Sequence, residues 1–397
     1  MAVAGRRQPA GGRGAERGAD RGGTPRPGHA VSAARVLKFG GSSFAGPDGY
    51  ERVADAVGRR LREGRGPLAV VVSAGPGETE ALRERLLGID PHPEDETLAG
   101  LLTLADTAGA QLLAAALHRA GVGSAVLAGQ QLGLVSDSVF ARARLVHTDP
   151  GALTAALARH EVVVVPGGQA VDAQGRPTWL GKNSSDLSAV AVAAAVGAPA
   201  CEIHSDVDGI YSADPHLVPG ARLLPLVSYD TASLLSLHGA KVIHRRAVEM
   251  ARKCGVELVL RHGRPPFAHG TRVGAAGEPV RAVVLNRRSV ALRYSGEAEA
   301  DRAYAALRAA NADAVRLGGG PLVVAVGGFL DLAEFHRRRG LAPGSGAGVP
   351  VTVLRGPVAT THLAADADGA VALARRLHGT FENGPAPRAR PLRLAGV

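Results

Sequence analysis

The sequence predicts an α/β protein built on a mostly parallel sheet, and three observations carry that prediction. Short apolar strands alternate with amphipathic or Ala-rich helices from residue 36 to about residue 260. Residues 68–73, Leu-Ala-Val-Val-Val-Ser, are a near-continuous apolar run of the kind buried on both faces of a parallel sheet. After Gly270-Thr271 the texture shifts to smaller β and α units, so the 397 residues divide into more than one domain.

Residues 1–33 are rich in Gly, Arg, Pro and Ala without apolar periodicity and read as a disordered tail, with a transit peptide or an over-extended start codon as the other readings. A strand over 36–39, a turn over 40–43 and an amphipathic helix over 50–61 open the alternation. The strand at 68–73 and helices over 78–87 and 98–120 come next. Strands over 124–127, 162–165 and 201–204 are separated by helices over 150–159 and 187–196. Residues 170–178, with Gln174-Gly175 at the centre, read as a hairpin. A helix over 240–253 and a strand over 256–260 complete the series. Beyond it, units at 289–293, 301–310, 314–317, 322–326, 330–338, 351–354, 359–364 and 369–378 suggest two small modules, with a Gly/Pro-rich linker over 340–350.

The net charge of +10 is not a nucleic-acid footprint. Six arginines fall in the first 34 residues, and aromatics, at 3%, leave few stacking platforms, so no nucleic-acid partner is expected. No apolar run approaches the ~20 residues a membrane helix needs, and no apolar signal region opens the chain; a cytoplasmic protein without membrane contact is expected. Cys201 and Cys254 cannot build a disulfide framework and read as small core residues.

Of the 46 basic residues only four are lysines: Lys38, Lys182, Lys241 and Lys253. Where a chain writes Arg for almost every surface cation, a Lys marks a site that wants a compact ammonium. Lys253 ends a helix and reads as a solvated charge; the other three lie in motifs. Lys38-Phe39-Gly40-Gly41-Ser42-Ser43 joins a strand to a helix, with glycines that let backbone approach phosphate oxygens, although a plain βα turn reads the same way. Gly181-Lys182-Asn183-Ser184-Ser185-Asp186 feeds an apolar helix and suits an anionic ligand, or Ser185 and Asp186 serve only as a cap. The stretch from Ser205 to Pro215 reads as a turn or as part of a pocket, with Tyr211 either lining it or in the core. His238 and His244 read as structural, because no other metal-ligand spacing accompanies them.

Taken in order, these motifs, with Val72-Ser73-Ala74, Gly129-Gln130-Gln131-Leu132-Gly133, Asp137, Pro166-Gly167, Ser228-Tyr229 and Gly239-Ala240-Lys241-Val242-Ile243-His244, resemble those of the aspartate kinases over about 35–273. The resemblance implies an amino-acid kinase-like αβα sandwich on a mostly parallel sheet over 34–275, and a smaller ACT-like α+β region for regulation and dimerisation over 276–397. It implies phosphorylation of the side-chain carboxylate of L-aspartate to 4-phospho-L-aspartate, the first step towards lysine, threonine and methionine, with ATP and Mg²⁺ carried on the ATP phosphates rather than at a protein metal site. By the same resemblance Lys38 and Lys241 hold the phosphates, Gly40 and Gly41 cradle them, and Asp186, capping its helix, orients Lys38. Ser205, Asp206, Tyr211 and Asp214 would line the nucleotide pocket, and Ser42, Ser73, Asp106, Lys182 and Ser185 would meet the small-molecule amino-acid substrate. A homodimer or higher homo-oligomer through the C-terminal modules is implied as well.

The sequence also departs from the family. Its Gly-Arg-Gly-Gly-Ser-Asp loop is Gly181-Lys182-Asn183-Ser184-Ser185-Asp186 here, and its Ser-x-Gly-Glu is Thr103-Leu104-Ala105-Asp106. An ammonium replaces a bidentate guanidinium and an acid loses one methylene, which points to aspartate held differently or to a related carboxylate. His216 and Arg245 stand where the family has Arg and Pro, and Tyr294-Ser295-Gly296-Glu297 replaces the Asp-x-Pro-Gly effector loop of ACT modules, against feedback by lysine or threonine. The alternative to an enzyme is a catalytically silent, nucleotide-binding regulatory subunit of the same fold.

Overall fold

A computed structural model describes residues 34–381 apart from 65, 241, 278–279 and 328–329; the tail expected over 1–33 lies outside the described residues. The first strands and helices are β1 (Arg35–Phe39), α1 (Gly49–Arg62), β2 (Leu68–Val72), α2 (Glu78–Leu87), α3 (Asp95–Arg119), β3 (Ser124–Val126), β4 (Leu134–Ser136), β5 (Leu145–Thr148) and α4 (Gly151–Leu157). They continue with β6 (Val162–Pro166), β7 (Gln169–Val171), β8 (Pro177–Trp179), α5 (Ser185–Ala195), β9 (Ala200–Ser205), β10 (Leu226–Ser228), α6 (Tyr229–Leu237), α7 (Arg245–Cys254), β11 (Glu257–His262) and β12 (His269–Gly274).

Eight of these strands form one sheet in the order β10-β12-β11-β9-β1-β2-β6-β3. It is parallel from β3 to β11 and reverses at β12, which pairs antiparallel with β11. Alternation along each strand feeds two cores. Val36, Ala69, Val71, Val163 and Val165 join the cluster that includes α5, α6 and α7. Leu37, Phe39, Val70, Val72, Val162 and Val164 join the cluster under α1 and α3. This is the α/β layering around a mostly parallel sheet that the sequence predicts. The register aligns Phe39 with Val72 and His204, and Val72 with Pro166. The chain therefore leaves β1, β2, β6 and β9 at one edge of the sheet, the place where open α/β sheets gather ligands.

Several expectations change. Helix α3 is 25 residues long with a mean hydropathy of 1.4 over its most apolar window, long and apolar enough to cross a membrane by composition alone. Residues Ala99, Leu102, Asp106, Ala110, Leu113 and Leu117 bury one stripe of it against the sheet, and an added Cβ at Gly109 would sit 3.1 Å from the Ser73 carbonyl oxygen. The helix expected over 240–253 begins only at Arg245, after α6 has ended. Gly239, at φ +105°, turns the chain between them, and a Cβ there would lie 2.8 Å from Asn286 Cβ. Cys201 is buried as expected, but Cys254, at the end of α7, is exposed.

The C-terminal sheet is antiparallel and comes from β13 (Arg281–Leu285), β14 (Val290–Arg293), α8 (Glu297–Ala309), β15 (Ala314–Leu317), β16 (Leu322–Ala325), α9 (Leu332–Arg338), β17 (Ser345–Arg355), β18 (Val358–Ala364) and α10 (Ala367–Gly379). The expected linker over 340–350 is half strand: Ser345, Gly346 and Gly348 of β17 pair with β14, while Val351 to Arg355 pair with β13. One module is thus nested inside the other, with β17 serving both. The outer module is bolted to the 206–224 loop. Ser212 Oγ lies 2.9 Å from His378 Nε2, Arg375 Nε donates to the Leu217 carbonyl at 2.8 Å, and Val283 N–H donates to the Ser212 carbonyl at 2.8 Å.

Candidate active site

The edge where β1, β2, β6 and β9 end encloses a cavity of about 410 Å³. Lys38 projects into it from β1 and stays almost fully buried. Its Nζ lies 2.8 Å from Asp186 Oδ1, in an ion pair whose geometry leaves Oδ1 without a directed hydrogen bond. The other carboxylate oxygen accepts the His244 N–H at 3.1 Å. Asp186 sits in the first turn of α5 and does not cap it; Ser184 holds the N-cap position. One buried carboxylate therefore ties together β1, α5 and the turn before α7.

Gly40 and Gly41 form the wall next to Lys38. A Cβ at Gly40 would lie 3.2 Å from both the His204 carbonyl oxygen and Lys38 Nζ, and one at Gly41 would strike the Ala74 carbonyl oxygen at 2.7 Å. Ser42, Ser73, Asp106, Lys182 and Ser185 also line the cavity, so all five residues expected to meet the substrate come together. Ser73 Oγ donates to Ser185 Oγ at 2.9 Å. Asp106 reaches in from α3 and accepts the Ala74 N–H at 3.0 Å. Burial pushes its carboxyl up to about 7, against the opposing pull of the Ala74 N–H and of Lys38. Lys182 is half-exposed at the rim, with its Nζ 3.8 Å from Glu80 Oε2.

The departures in the 181–186 loop have a conformational reading. Asn183 takes the place of a family glycine at φ +60°, and Asn is among the few side chains that tolerate this left-handed region. Ser184 replaces the next glycine, and its hydroxyl donates to the Gly181 carbonyl, closing the loop on itself. Asn183→Gly is expected to leave stability within about 0.5 kcal/mol of the parent, whereas Asn183→Val costs about 1–3 kcal/mol, measured by urea unfolding. A valine variant as stable as the parent would remove this account of the loop.

Of the four residues expected to line a nucleotide pocket, Ser205 and Asp206 line the cavity. Tyr211 and Asp214 do not. Tyr211 donates from its hydroxyl to Asp208 Oδ1 at 3.1 Å, and Asp214 Oδ1 accepts the His216 N–H at 2.9 Å, both further along the same loop. Lys241 lies outside the described residues. His238 and His244 are held neutral by burial, to about 4 and about 3. Sequence reasoning missed the segment that roofs the cavity. Gly75, Gly77, Thr79 and Glu80 face it, and Glu78 Oε2 fastens the Gly75 N–H at 2.8 Å. Gly75-Pro76-Gly77 ahead of Glu78 and Glu80 in a first turn was the available signal. Trp179, the single tryptophan, also lines the cavity.

The chain is similar to known proteins in sequence and fold. The chain is 38% identical over 227 residues to the aspartokinase of Pseudomonas aeruginosa and 36% identical over 227 residues to that of Helicobacter pylori. Each match covers 57% of this chain, and the chain spans about half the length of these relatives, 55% and 56%. The crystal structure of aspartate kinase from Synechocystis superposes with a TM-score of 0.54 at 25% identity, covering 91% of this chain and 71% of that one. Escherichia coli aspartokinase III in complex with aspartate and ADP shares the fold, with a TM-score of 0.62 at 21% identity over 81% of this chain and 87% of that one. The amino acid kinase family pattern runs through residues 34–262, more than half the chain, and includes both partners of the buried ion pair. With the fold and the ordered motifs in agreement, the chain belongs to the amino acid kinase family.

Proposed function

We propose that this chain is an ATP-dependent kinase for the side-chain carboxylate of L-aspartate or of a closely related amino acid, forming an acyl phosphate such as 4-phospho-L-aspartate. The observation that carries the reading is the buried Lys38–Asp186 pair beside the Gly40-Gly41 wall. A cation held in place by a carboxylate, with backbone on which no side chain intrudes, suits the charge that develops on transferring phosphoryl oxygens. An aspartate side chain is already ionised near pH 7, so the reaction needs no general base. The carboxylate oxygen forms its bond to the γ-phosphorus as the bridging P–O bond breaks and its electrons leave with ADP. Asp106 and the Ser73–Ser185 pair, which line the cavity, would hold the α-ammonium and carboxylate ends of the amino acid.

Among the described residues no cluster of three His, Cys, Asp or Glu suited to a metal occurs. Asp206 is one of the carboxylates lining the cavity, and a magnesium ion supplying charge neutralisation would be held mainly by phosphate oxygens.

The test is conversion of a panel of amino-acid carboxylates to hydroxamates with Mg·ATP and hydroxylamine. Product from L-aspartate or a near analogue is expected. ATP binding without any product would sink the kinase reading and leave the silent subunit. Within the same panel, Lys182→Arg is expected to raise kcat/KM for L-aspartate roughly tenfold, the size of one added charge-assisted hydrogen bond. An unchanged or lower value would show the lysine to be suited to aspartate itself.

A further inference from the structure

The Asp186 carboxylate is oriented by the start of α7, because its Oδ2 accepts the N–H of His244, the residue that opens that helix. On the upstream side the turn is anchored, with Ser236 Oγ donating to the Ile243 carbonyl at 2.9 Å. On the helix side it is not anchored locally. No side chain caps α7 and no acid stands in its first turn. Arg245 and Arg246 open it instead, two cations at the positive end of a helix dipole. What fixes this end of the turn comes from elsewhere in the fold.

Arg246 reaches back to the Leu180 carbonyl, at the entry to the 181–186 loop, and donates to the Ala143 carbonyl at 2.7 Å. Arg245 turns to the C-terminal sheet, where its Nε and Nη2 both lie 2.8 Å from Asp313 Oδ1. Glu249 pairs with Arg245 as well, but from one turn along the same helix, so it neutralises the arginine without tying α7 to anything else. The corner between α8 and β15 that carries Asp313 also grips the segment beneath Arg246. Asn311 Nδ2 donates to the Arg142 carbonyl at 2.8 Å, and Arg144 Nη2 donates to the Arg308 carbonyl at 3.2 Å. One corner of the inner module thus holds the tripeptide His244-Arg245-Arg246 through Arg245 directly and through the segment that Arg246 grasps.

We propose that Arg245 and Asp313 are positioning residues for phosphoryl transfer: their ion pair fixes the start of α7, and with it the His244 N–H that orients Asp186 against Lys38. The proposal rests on the kinase reading above. The aspartate kinases have proline where Arg245 stands, and proline at the first helical position fixes φ near −65° without any partner. His244, at φ −70° and ψ 125°, already has the extended backbone that a following proline requires. An arginine lacks that stiffness, and here it takes its place from Asp313.

The chain has only four lysines, so the full protein labelled with ¹³C at lysine offers a direct readout of Lys38. Its signal and that of Lys253, in the last turn of α7, are assigned by their loss in Lys38→Ala and Lys253→Ala. Asp313→Asn keeps the shape of the side chain and removes its charge. It is expected to shift the Lys38 signal and leave that of Lys253 in place. In the hydroxamate assay it should lower kcat about tenfold with KM for the amino acid within about twofold, since a misplaced group at the reacting centre costs up to about a hundredfold. Arg245→Ala should act alike. In the Arg245→Pro background, Asp313→Asn should change neither kcat nor the Lys38 signal. An unmoved Lys38 signal in Asp313→Asn, or the same loss of kcat from it with and without Arg245→Pro, would overturn the proposal. A parent chain that makes no hydroxamate sinks the kinase reading alone, and the Lys38 signal then decides whether the pair positions that lysine.

Discussion

Lys38→Ala is expected to lower kcat in the hydroxamate assay about 10³-fold, the loss typical of removing one preorganised charge from a transition state. It should also destabilise the fold by about 3–5 kcal/mol, because Asp186 would be left buried and charged without its partner. The two effects separate in the double variant Lys38→Ala with Asp186→Asn. Neutralising the orphaned carboxylate should restore most of the stability seen in urea unfolding and none of the activity. A single variant that keeps parental kcat would remove Lys38 from the chemistry, and a double variant that recovers kcat would show the pair to be structural only.

For Asp106, kcat/KM on the amino-acid substrate should rise with pH through about 7, since only the ionised carboxylate attracts an α-ammonium group. Stability runs the other way. Burial raises the folded pKa above the ordinary 3.8, so this carboxyl's contribution to stability is complete below that value and is lost as pH climbs through about 7. Asp106→Asn should therefore abolish the rise in kcat/KM, increase KM, and melt above the parent at pH 8 but not at pH 4. A parental pH profile in Asp106→Asn would assign the ionisation to another group.

Much of this was legible in the sequence, for identifiable reasons. The valine runs of β2 and β6 can only be strands buried on both faces, and α2 falls on 78–87 as its pattern indicates. The gathering of Ser42, Ser73, Asp106, Lys182 and Ser185 in one cavity was legible only through the family resemblance, since no local pattern marks Asp106 within α3 or Lys182 on its loop. Helix α6 was missed although Ser228 caps it through the Thr231 N–H, a cap readable as Ser-x-x-Thr. No element was expected over 229–237, and the helix that follows, expected from residue 240, starts at Arg245 beyond the turn at Gly239. Strands β4 and β5 were missed because three and four residues repeat the two-residue alternation too few times to stand out from the surrounding loop. The strand character of 345–348 hid behind glycines, which a local reading takes for linker. The placement of Tyr211 and Asp214 outside the cavity depends on the path of one loop, fixed by contacts with α10 that no local pattern records.

The nesting of the C-terminal sheet makes its inner part an insert rather than an appendage. Leu285, the last residue of β13, stands directly opposite Val351 of β17 in an antiparallel ladder. The chain leaves on one strand and returns on its neighbour, so a two-residue turn is enough to close the gap between them. Excision there would take out β14, α8, β15, β16, α9 and residues 345–350 of β17 while sparing β13, the 351–355 half of β17, most of its pairing with β18, and the helix α10 that grips the 206–224 loop. A cut after residue 340 would do the reverse, stripping β13 of the strand it pairs with and releasing that grip. The chain is built so that its middle is dispensable to that contact and its end is not.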